Sequence, residues 1–282
     1  MRIDYSIGEV APYINWIYFF HAWNMSSKPE DEQQQLRREG EERLEKCNDR
    51  YHTHAVFQLF SAYSDGDDIV VLGEGLKESK VRIPCLRQQQ QDSNYLCLAD
   101  FIAPHTSDSL PQASDLTPQT SDQIGLFATT VDHGLETDFD GDPYEKMMMQ
   151  LLADRLAEAT AEKMHEEVRK NHWGYARDEQ LSIADMLNER WQGIRPAVGY
   201  PSLPDTSLNF IIDQLIDMRQ IGIRLTESGA MKPHASVSGL MISHPDAHYF
   251  AVGKIGDDQL HDYARRRGVP MELMRKFLGG NL

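Results

Sequence analysis

The chain has 282 residues, 40% of them hydrophobic and 26% charged, and 28 Lys and Arg against 44 Asp and Glu give a formal net charge of −16. That is enough chain for a sizeable core and an ordinary composition for a globular protein. A surface this acidic excludes broad electrostatic binding to phosphate backbones, but it leaves small cationic ligands open.

Three cysteines, Cys47, Cys85 and Cys97, without a CxxC pair, argue against a disulfide framework or a zinc site and fit a reducing cytoplasm. The opening MRIDYSIGEV lacks the apolar core of a signal peptide. The most apolar stretch, from Ile14 to Trp23, is about half the length of a membrane span. The expectation is a cytoplasmic protein with neither membrane nor nucleic acid as partner.

An aromatic segment, Tyr13 to Trp23, comes first. From Lys28 to Arg50 the sequence is highly charged, with Leu36 and Leu44 as sparse apolar positions, and reads as a solvated helix docked by a narrow stripe. Strand-like runs follow in HAVFQLFSAY, DDIVVL, KVRIPCL and NYLCLAD. Gly73-Glu74-Gly75 lacks the third glycine of a dinucleotide fingerprint and reads as a hairpin. His52 and His54 share a strand face but suggest no third ligand, so they read as a surface pair rather than a metal site. The Ser/Thr/Pro-rich stretch from Pro104 to Asp122 predicts a flexible insertion, with another strand, IGLFATTV, directly after it.

Asp138, Asp140 and Asp142 alternate like a calcium loop, but Pro143 stands where that loop needs glycine and Met149 where it needs a bidentate Glu, leaving an acidic turn. From about Pro143 to His172 the spacing of Met148, Leu152, Leu156, Ala159 and Met164 predicts a long helix with one buried and one wet face. Ser182 and Asp185 form a capping box opening SIADMLNERW. After a Pro/Gly-rich loop come a helix in SLNFIIDQLIDMRQI, strands in ASVSGLMISH and YFAVGKI, and two short C-terminal helices. Those last helices resemble a helix–turn–helix with Arg265 to Arg267 available for phosphate, a reading that the net charge opposes. Strands and helices without a βαβ rhythm predict one α+β domain, residues 1–282, with an antiparallel sheet.

Two features resist a bland reading. In Arg195-Pro196-Ala197-Val198-Gly199-Tyr200-Pro201 two prolines and a glycine fix the backbone, and a fixed loop presents its amides and carbonyls to a ligand at little entropic cost. Arg195 either pairs with a ligand carboxylate or staples the loop to a neighbouring acid. The second feature is a set of acids. Asp154 and Glu158 lie four apart on one helix face, and Glu189 precedes Arg195 by six residues. Acids and a guanidinium around one rigid loop suit a zwitterionic, partly cationic ligand such as an amino acid or a sulfonium.

From Leu152 to Leu282 the chain closely resembles the activation (reactivation) domain of cobalamin-dependent methionine synthase. The resemblance rests on LADRLAEATAE, VRKNHWGYARDEQLS, the RPAxGYP loop at Arg195 to Pro201, LTESGAM, ASVSGLMISHPD and DYARRRG. Upstream, YINWIYFF, GDDIVV, LRQQ and LADFIAP fall in the family's order. The resemblance implies a C-shaped α+β fold around a twisted antiparallel sheet, with S-adenosylmethionine (AdoMet) in a shallow groove. It also implies docking on the cobalamin-binding part of methionine synthase and an electron from flavodoxin or an equivalent donor. The reaction implied is reductive methylation of cob(II)alamin, an attack by a strong nucleophile that needs alignment rather than a general base. No catalytic acid–base set and no metal site in this chain are therefore expected.

By the same resemblance, Arg195 holds the AdoMet carboxylate, the Ala197 backbone and Tyr249 contact the ligand with Phe250 beside them, and Glu158 and Glu189 line the groove. Tyr200 faces the corrin, and Asp154 lies at the interface with the cobalamin-binding domain. Asn15 stands where the family usually has an aspartate reaching AdoMet, which removes a charge attraction and predicts weaker affinity. Thr206 to Asn209 replace a histidine and an acid–lysine pair of the groove wall, and the insertion from Pro104 to Asp122 is longer than expected. No DxHxxG corrinoid motif and no barrel-sized region for homocysteine or folate are present. The chain is therefore expected to act with a separate corrinoid protein or as part of a larger synthase. The alternative is a non-catalytic AdoMet-binding or corrinoid-protein assembly paralogue.

Overall fold

A computed structural model describes residues 1–73, 80–91, 94–104 and 122–282. Its strands are β1 (Arg2–Ser6), β2 (His52–Asp65), β3 (Asp68–Leu72), β4 (Lys80–Pro84), β5 (Asp122–Val131), β6 (Arg224–Leu225), β7 (Met231–Lys232) and β8 (Ser236–Met241). Its α-helices are α1 (Ile7–Val10), α2 (Trp16–Ala22), α3 (Glu30–Cys47), α4 (Gly134–Thr137), α5 (Pro143–Glu167), α6 (Ile183–Leu187), α7 (Leu208–Ile216), α8 (Asp257–Arg267) and α9 (Met271–Phe277).

The long β2 is the spine of a six-stranded antiparallel sheet ordered β4-β3-β2-β5-β8, with β1 also paired to β2. One edge of β2 takes β1 along its first half, with Arg2 opposite Val56, and β3 along its second, with Ser61 opposite Leu72. Its other edge takes β5, with Phe57 opposite Phe127. The period of two sends Ala55, Phe57 and Phe127 to one face, where they meet α1, α2, α3 and α5. It sends Val56, Leu126, Ala128 and Leu240 to the other, covered by α7. Because both faces are covered, β5 is buried without a break from Ile124 to Val131, and its sequence reads as an apolar run rather than an alternation.

Helix α5 starts where Asp142 accepts a hydrogen bond from Glu145 N–H, with Pro143 in the first helical position. Asp138 is bonded by Arg50 and Tyr51, and Asp140 pairs with Lys146, so the acidic turn ties α5 to its neighbours. The wet face expected on this helix is confined to its first turns, where Pro143, Tyr144, Met147 and Gln150 are exposed; no residue from 151 to 170 is fully exposed. The sheet packs on one side, and α1, α2 and the 3-10 turn Ala11–Tyr13 close over the other. The charged α3 behaves as its sequence says, burying only Leu36, Gly40, Leu44 and Cys47.

Other expectations need correcting. YFAVGKI forms no strand, and NYLCLAD yields only a bridge between Arg87 and Cys97 and the 3-10 turn Leu98–Phe101. The helix in SIADMLNERW stops at Leu187, although its capping box forms as read. Helices α8 and α9 fold onto each other through Leu260, Tyr263 and Met274, with Arg266 and Arg267 turned inward, which removes the DNA-binding reading. The Gly73 hairpin beyond its first residue and most of the Ser/Thr/Pro-rich insertion lie outside the described residues. No helix among the described residues is long and apolar enough to cross a membrane.

The segment Ile194 to Val198 lies along β8 almost as a further strand: Ile194 pairs with Ile242, and Ala197 with Gly239. Leu240 N–H donates to Pro196 O at 3.0 Å and Val198 N–H to Ser238 O at 2.9 Å. This approach requires glycine at 239, where a Cβ would stand 2.2 Å from Pro196 O and 2.9 Å from Ala197 Cα. Gly239→Ala is expected to push the loop off the sheet and destabilise the fold by about 1–3 kcal/mol. A urea titration reads this as a lower midpoint at unchanged slope. An unchanged midpoint would show that the loop is not held at that distance.

Candidate functional site

Strapping this loop to β8 brings Arg195 over the face of α5 that carries Glu158 and Glu162. The start of α2 and the segment Tyr249 to Ala251 close the sides, leaving a cleft of about 660 Å³. That volume lies within the range usual for small-molecule sites. All seven positions that the resemblance assigned to AdoMet line it: Asn15, Glu158, Glu189, Arg195, Ala197, Tyr249 and Phe250, with Tyr200 at the same cleft. Asp154 does not. It sits one turn earlier on α5, where burial raises its carboxyl above the usual range; Glu136 and Glu158 add to the shift, while Arg155 and His234 oppose it.

Arg195 is stapled to an acid of the chain and also lines the cleft. Its Nη1 donates to Ala161 O at 3.0 Å and its Nη2 to Glu162 Oε2 at 2.7 Å, with the two side chains 12% and 9% exposed. Burial alone would lower the guanidinium's pKa, but Glu162, Tyr249 and Glu158 together outweigh it and the net shift is upward. Two of its five N–H groups are thus committed to protein acceptors. Glu162 Oε1 is buried and accepts no hydrogen bond among the described residues. An orphaned acceptor of this kind costs about 1–3 kcal/mol, the sort of deficit that a bound group can relieve.

Trp191 is the centre of what lies behind the cleft. The guanidinium carbons of Arg195 and Arg169 stand 5.8 and 5.1 Å from its ring, and the rings of His165 and Tyr249 meet it edge-on. Arg169 is fully buried and pairs with Glu179 at 2.6 Å. It also donates to His165 Nδ1 at 3.0 Å, which fixes the ring proton on Nε2, an atom with no partner among the described residues. Burial, reinforced by Arg195 and Arg169, holds His165 well below its usual pKa and therefore neutral.

Glu189 occupies the left-handed region at φ 56°, a conformation that costs a non-glycine residue about 1–3 kcal/mol and that clusters at functional sites. Burial raises its carboxyl pKa, with Arg195 opposing and Glu162 adding. The Tyr249 hydroxyl accepts the Arg195 backbone N–H at 3.0 Å, and burial pushes its pKa up to about 12. Tyr200, half exposed, donates its hydroxyl proton to Glu158 Oε1, and its pKa is raised by burial and by that carboxylate. Asn15 caps α2, accepting Ile17 N–H through Oδ1 at 3.2 Å.

Thr206 to Asn209, where the chain departs from the family after the loop, do not line the cleft. Instead Asp205 is buried and receives hydrogen bonds from Ser207, Tyr263 and Arg267, which anchors the C-terminal helices. Arg169 is buried and paired, Arg266 and Arg267 are partly buried and paired, Lys170 is paired with Glu166, and the exposed Arg265 is paired with Asp262. His54 lies between Asp4 and Asp132, and no group of three or more His, Cys, Asp or Glu among the described residues could hold a metal ion.

Sequence reasoning missed Glu162, His165 and Trp191. Glu162 was within reach, since it continues the four-residue spacing of Asp154 and Glu158. Nothing local marked Trp191 as the ring that two guanidinium groups approach.

A family model described as the activation domain of vitamin B12-dependent methionine synthase matches residues 6–268. Among solved structures, the crystal structure of the MetH reactivation domain bound to AdoHcy superposes with a TM-score of 0.88 at 37% sequence identity. The match covers 100% of this chain and 90% of that chain.

The neutral, buried His165 gives stability a definite pH dependence. Its folded pKa lies below the ordinary value of 6.5, so its contribution is complete above that pH. Below pH 6.5 the unfolded chain binds the proton that the folded chain refuses, and stability falls by at most about 1.4 kcal/mol per pH unit. Chemical denaturation between pH 7 and pH 5 is expected to show this slope, and His165→Gln, which still offers Arg169 an acceptor, is expected to reduce it. An identical slope in the variant would assign the dependence to other groups.

Proposed function

Because the chain belongs to the family of vitamin B12-dependent methionine synthase activation domains, we propose that its cleft binds S-adenosylmethionine. In that role it serves the reductive methylation of cob(II)alamin carried by the cobalamin-binding part of a methionine synthase or by a separate corrinoid protein. The observation that carries this reading is Arg195, held in a ligand-sized cleft by Glu162 and Ala161 with donors left over. The chain acts as one activation-type domain in the cytoplasm, completed by its corrinoid partner.

The residues fit such a ligand. Arg195 offers a fork for a carboxylate, the Pro196–Ala197 backbone follows β8 at the cleft wall, and Tyr249 and Phe250 give an aromatic side. Glu158 and Glu189 supply negative charge suited to a sulfonium cation. When bound, S-adenosylmethionine supplies the methyl group. The residues of this chain orient it and exclude water, so no general base is needed. Tyr200, exposed at the mouth, is the side chain for the corrin face, and Asp154, outside the cleft, belongs to the contact with the cobalamin-binding part. The electron donor is left as a class. Flavodoxin, an acidic donor, cannot draw on Arg169, Arg266 or Arg267, which pair with acids of this chain.

One observation favours the alternative, a binding or assembly paralogue without reactivation activity. Asn15 is uncharged and spends its side-chain oxygen on capping α2. Calorimetric titration with S-adenosylmethionine separates the two. Heat at micromolar to submillimolar ligand is expected, and silence at millimolar ligand would leave only a scaffold role. Arg195→Ala is expected to abolish binding; full affinity in that variant would remove Arg195 from the ligand. Tyr200→Ala is expected to leave that affinity nearly intact while changing the cob(II)alamin spectrum of the docked complex, and an unchanged spectrum would take Tyr200 off the corrin face.

A further inference from the structure

Arg195 and Glu162 are each other's counter-ion inside the protein, and their arrangement restricts what can join them. A carboxylate arriving alone at the free donors of Arg195 would stand close to the Glu162 carboxylate, 2.7 Å from the same guanidinium. Two like charges in that shielded space repel strongly. The repulsion is relieved if the same ligand brings a positive group to Glu162. Glu162 has an acceptor for it: Oε1 is buried and unpartnered among the described residues, while Oε2 is held by Arg195.

The competing acceptors are less suited. Glu158 Oε1 already takes the Tyr200 hydroxyl, and Asn15 Oδ1 takes the Ile17 N–H and carries no charge. Glu189 is the remaining rival, a carboxylate that feels both Arg195 and Glu162.

We propose that Arg195 and Glu162 together read the zwitterionic amino-acid end of the ligand, Arg195 taking the carboxylate and Glu162 Oε1 the α-ammonium. This rests on the cleft being the S-adenosylmethionine site and adds a residue that sets specificity for an α-amino acid moiety. A ligand with the nucleoside and carboxylate but no amine would bring a charge that Glu162 rejects.

The test is a calorimetric cycle with S-adenosylhomocysteine and its desamino analogue, in which hydrogen replaces the ammonium group. The wild-type protein is expected to bind the desamino compound about tenfold or more weakly. In Glu162→Gln, which keeps an oxygen for Arg195 but puts an amide in place of the charge, the two ligands are expected to differ by no more than about twofold. Equal binding of both ligands by the wild type, or an undiminished difference in Glu162→Gln, overturns the proposal. Binding of neither ligand by the wild type instead overturns the assignment of the cleft itself. Glu189→Gln is the second variant and decides the matter if Glu162→Gln does not fold. Persistence of the amine dependence there supports Glu162, and its loss assigns the ammonium to Glu189 and overturns the proposal.

Discussion

The buried ion pair between Arg195 and Glu162 joins the two parts of the molecule that make the cleft. One partner comes from the C-terminal part of α5 and the other from a loop more than thirty residues later, so their contact sets the distance between helix and loop. Removing one member of a buried pair leaves the other charge uncompensated, at about 3–5 kcal/mol, whereas replacing both by apolar groups is often neutral or stabilising. The pair is therefore weak evidence for stability and good evidence for a site that needs a fixed guanidinium. Trp191 goes with it, since its ring lies within cation–π range of both the Arg195 and the Arg169 guanidinium groups. The left-handed backbone of Glu189 follows as well, because the chain must reverse after α6 to bring Trp191 underneath.

The loop can be held there only because the sheet edge is bare where it lands. Gly239 lets Pro196 and Ala197 lie against β8, and Gly193 at φ 87° does the same one turn earlier, where a Cβ would meet Ile242 O at 2.1 Å. Under the other side of the cleft, α5 is enclosed along the stretch that carries Glu158 and Glu162, and Thr129 of the central β5 donates its hydroxyl to Ala157 O. A helix enclosed in this way moves little, so its carboxylates are held to the geometry that the loop requires.

Much of this was legible in the sequence, and the reasons for the rest are local. Short runs of β-branched or aromatic residues marked β2 and β3, and the Ser182–Asp185 box marked the start of α6, because both signals depend on near neighbours. YFAVGKI has the composition of a strand, but Val252 N–H finds Pro201 O in the loop rather than a sheet edge, a choice made by tertiary structure. The enclosure of α5 was hidden for the same reason: Glu158, Glu162 and Lys163 look solvated until α2, the 3-10 turn and the loop cover them. The cleft residues carried by the RPAxGYP loop were recognisable by resemblance. Trp191, His165 and Arg169 were not, since their roles arise only when α5 and the segment after α6 are brought together.

The charge of −16 takes on a different meaning once the cations are located. Most of the arginines in the described structure are tied to acids within the chain, several of them in its interior. The acid excess is thus left largely on the surface, where it repels an acidic partner over about a Debye length, roughly 8–10 Å in physiological salt. The mouth of the cleft differs in kind. Tyr18 and Tyr200, which line it, are among the most exposed large apolar side chains, and the Arg155 guanidinium carbon lies 5.9 Å from the Tyr18 ring. A broad, flat and largely uncharged surface can approach there without meeting the field that repels an acidic protein elsewhere. Under the proposed function, contact with the corrin-bearing partner is therefore selected by shape and apolar area at the mouth, and electrostatics acts mainly to keep other acidic proteins away.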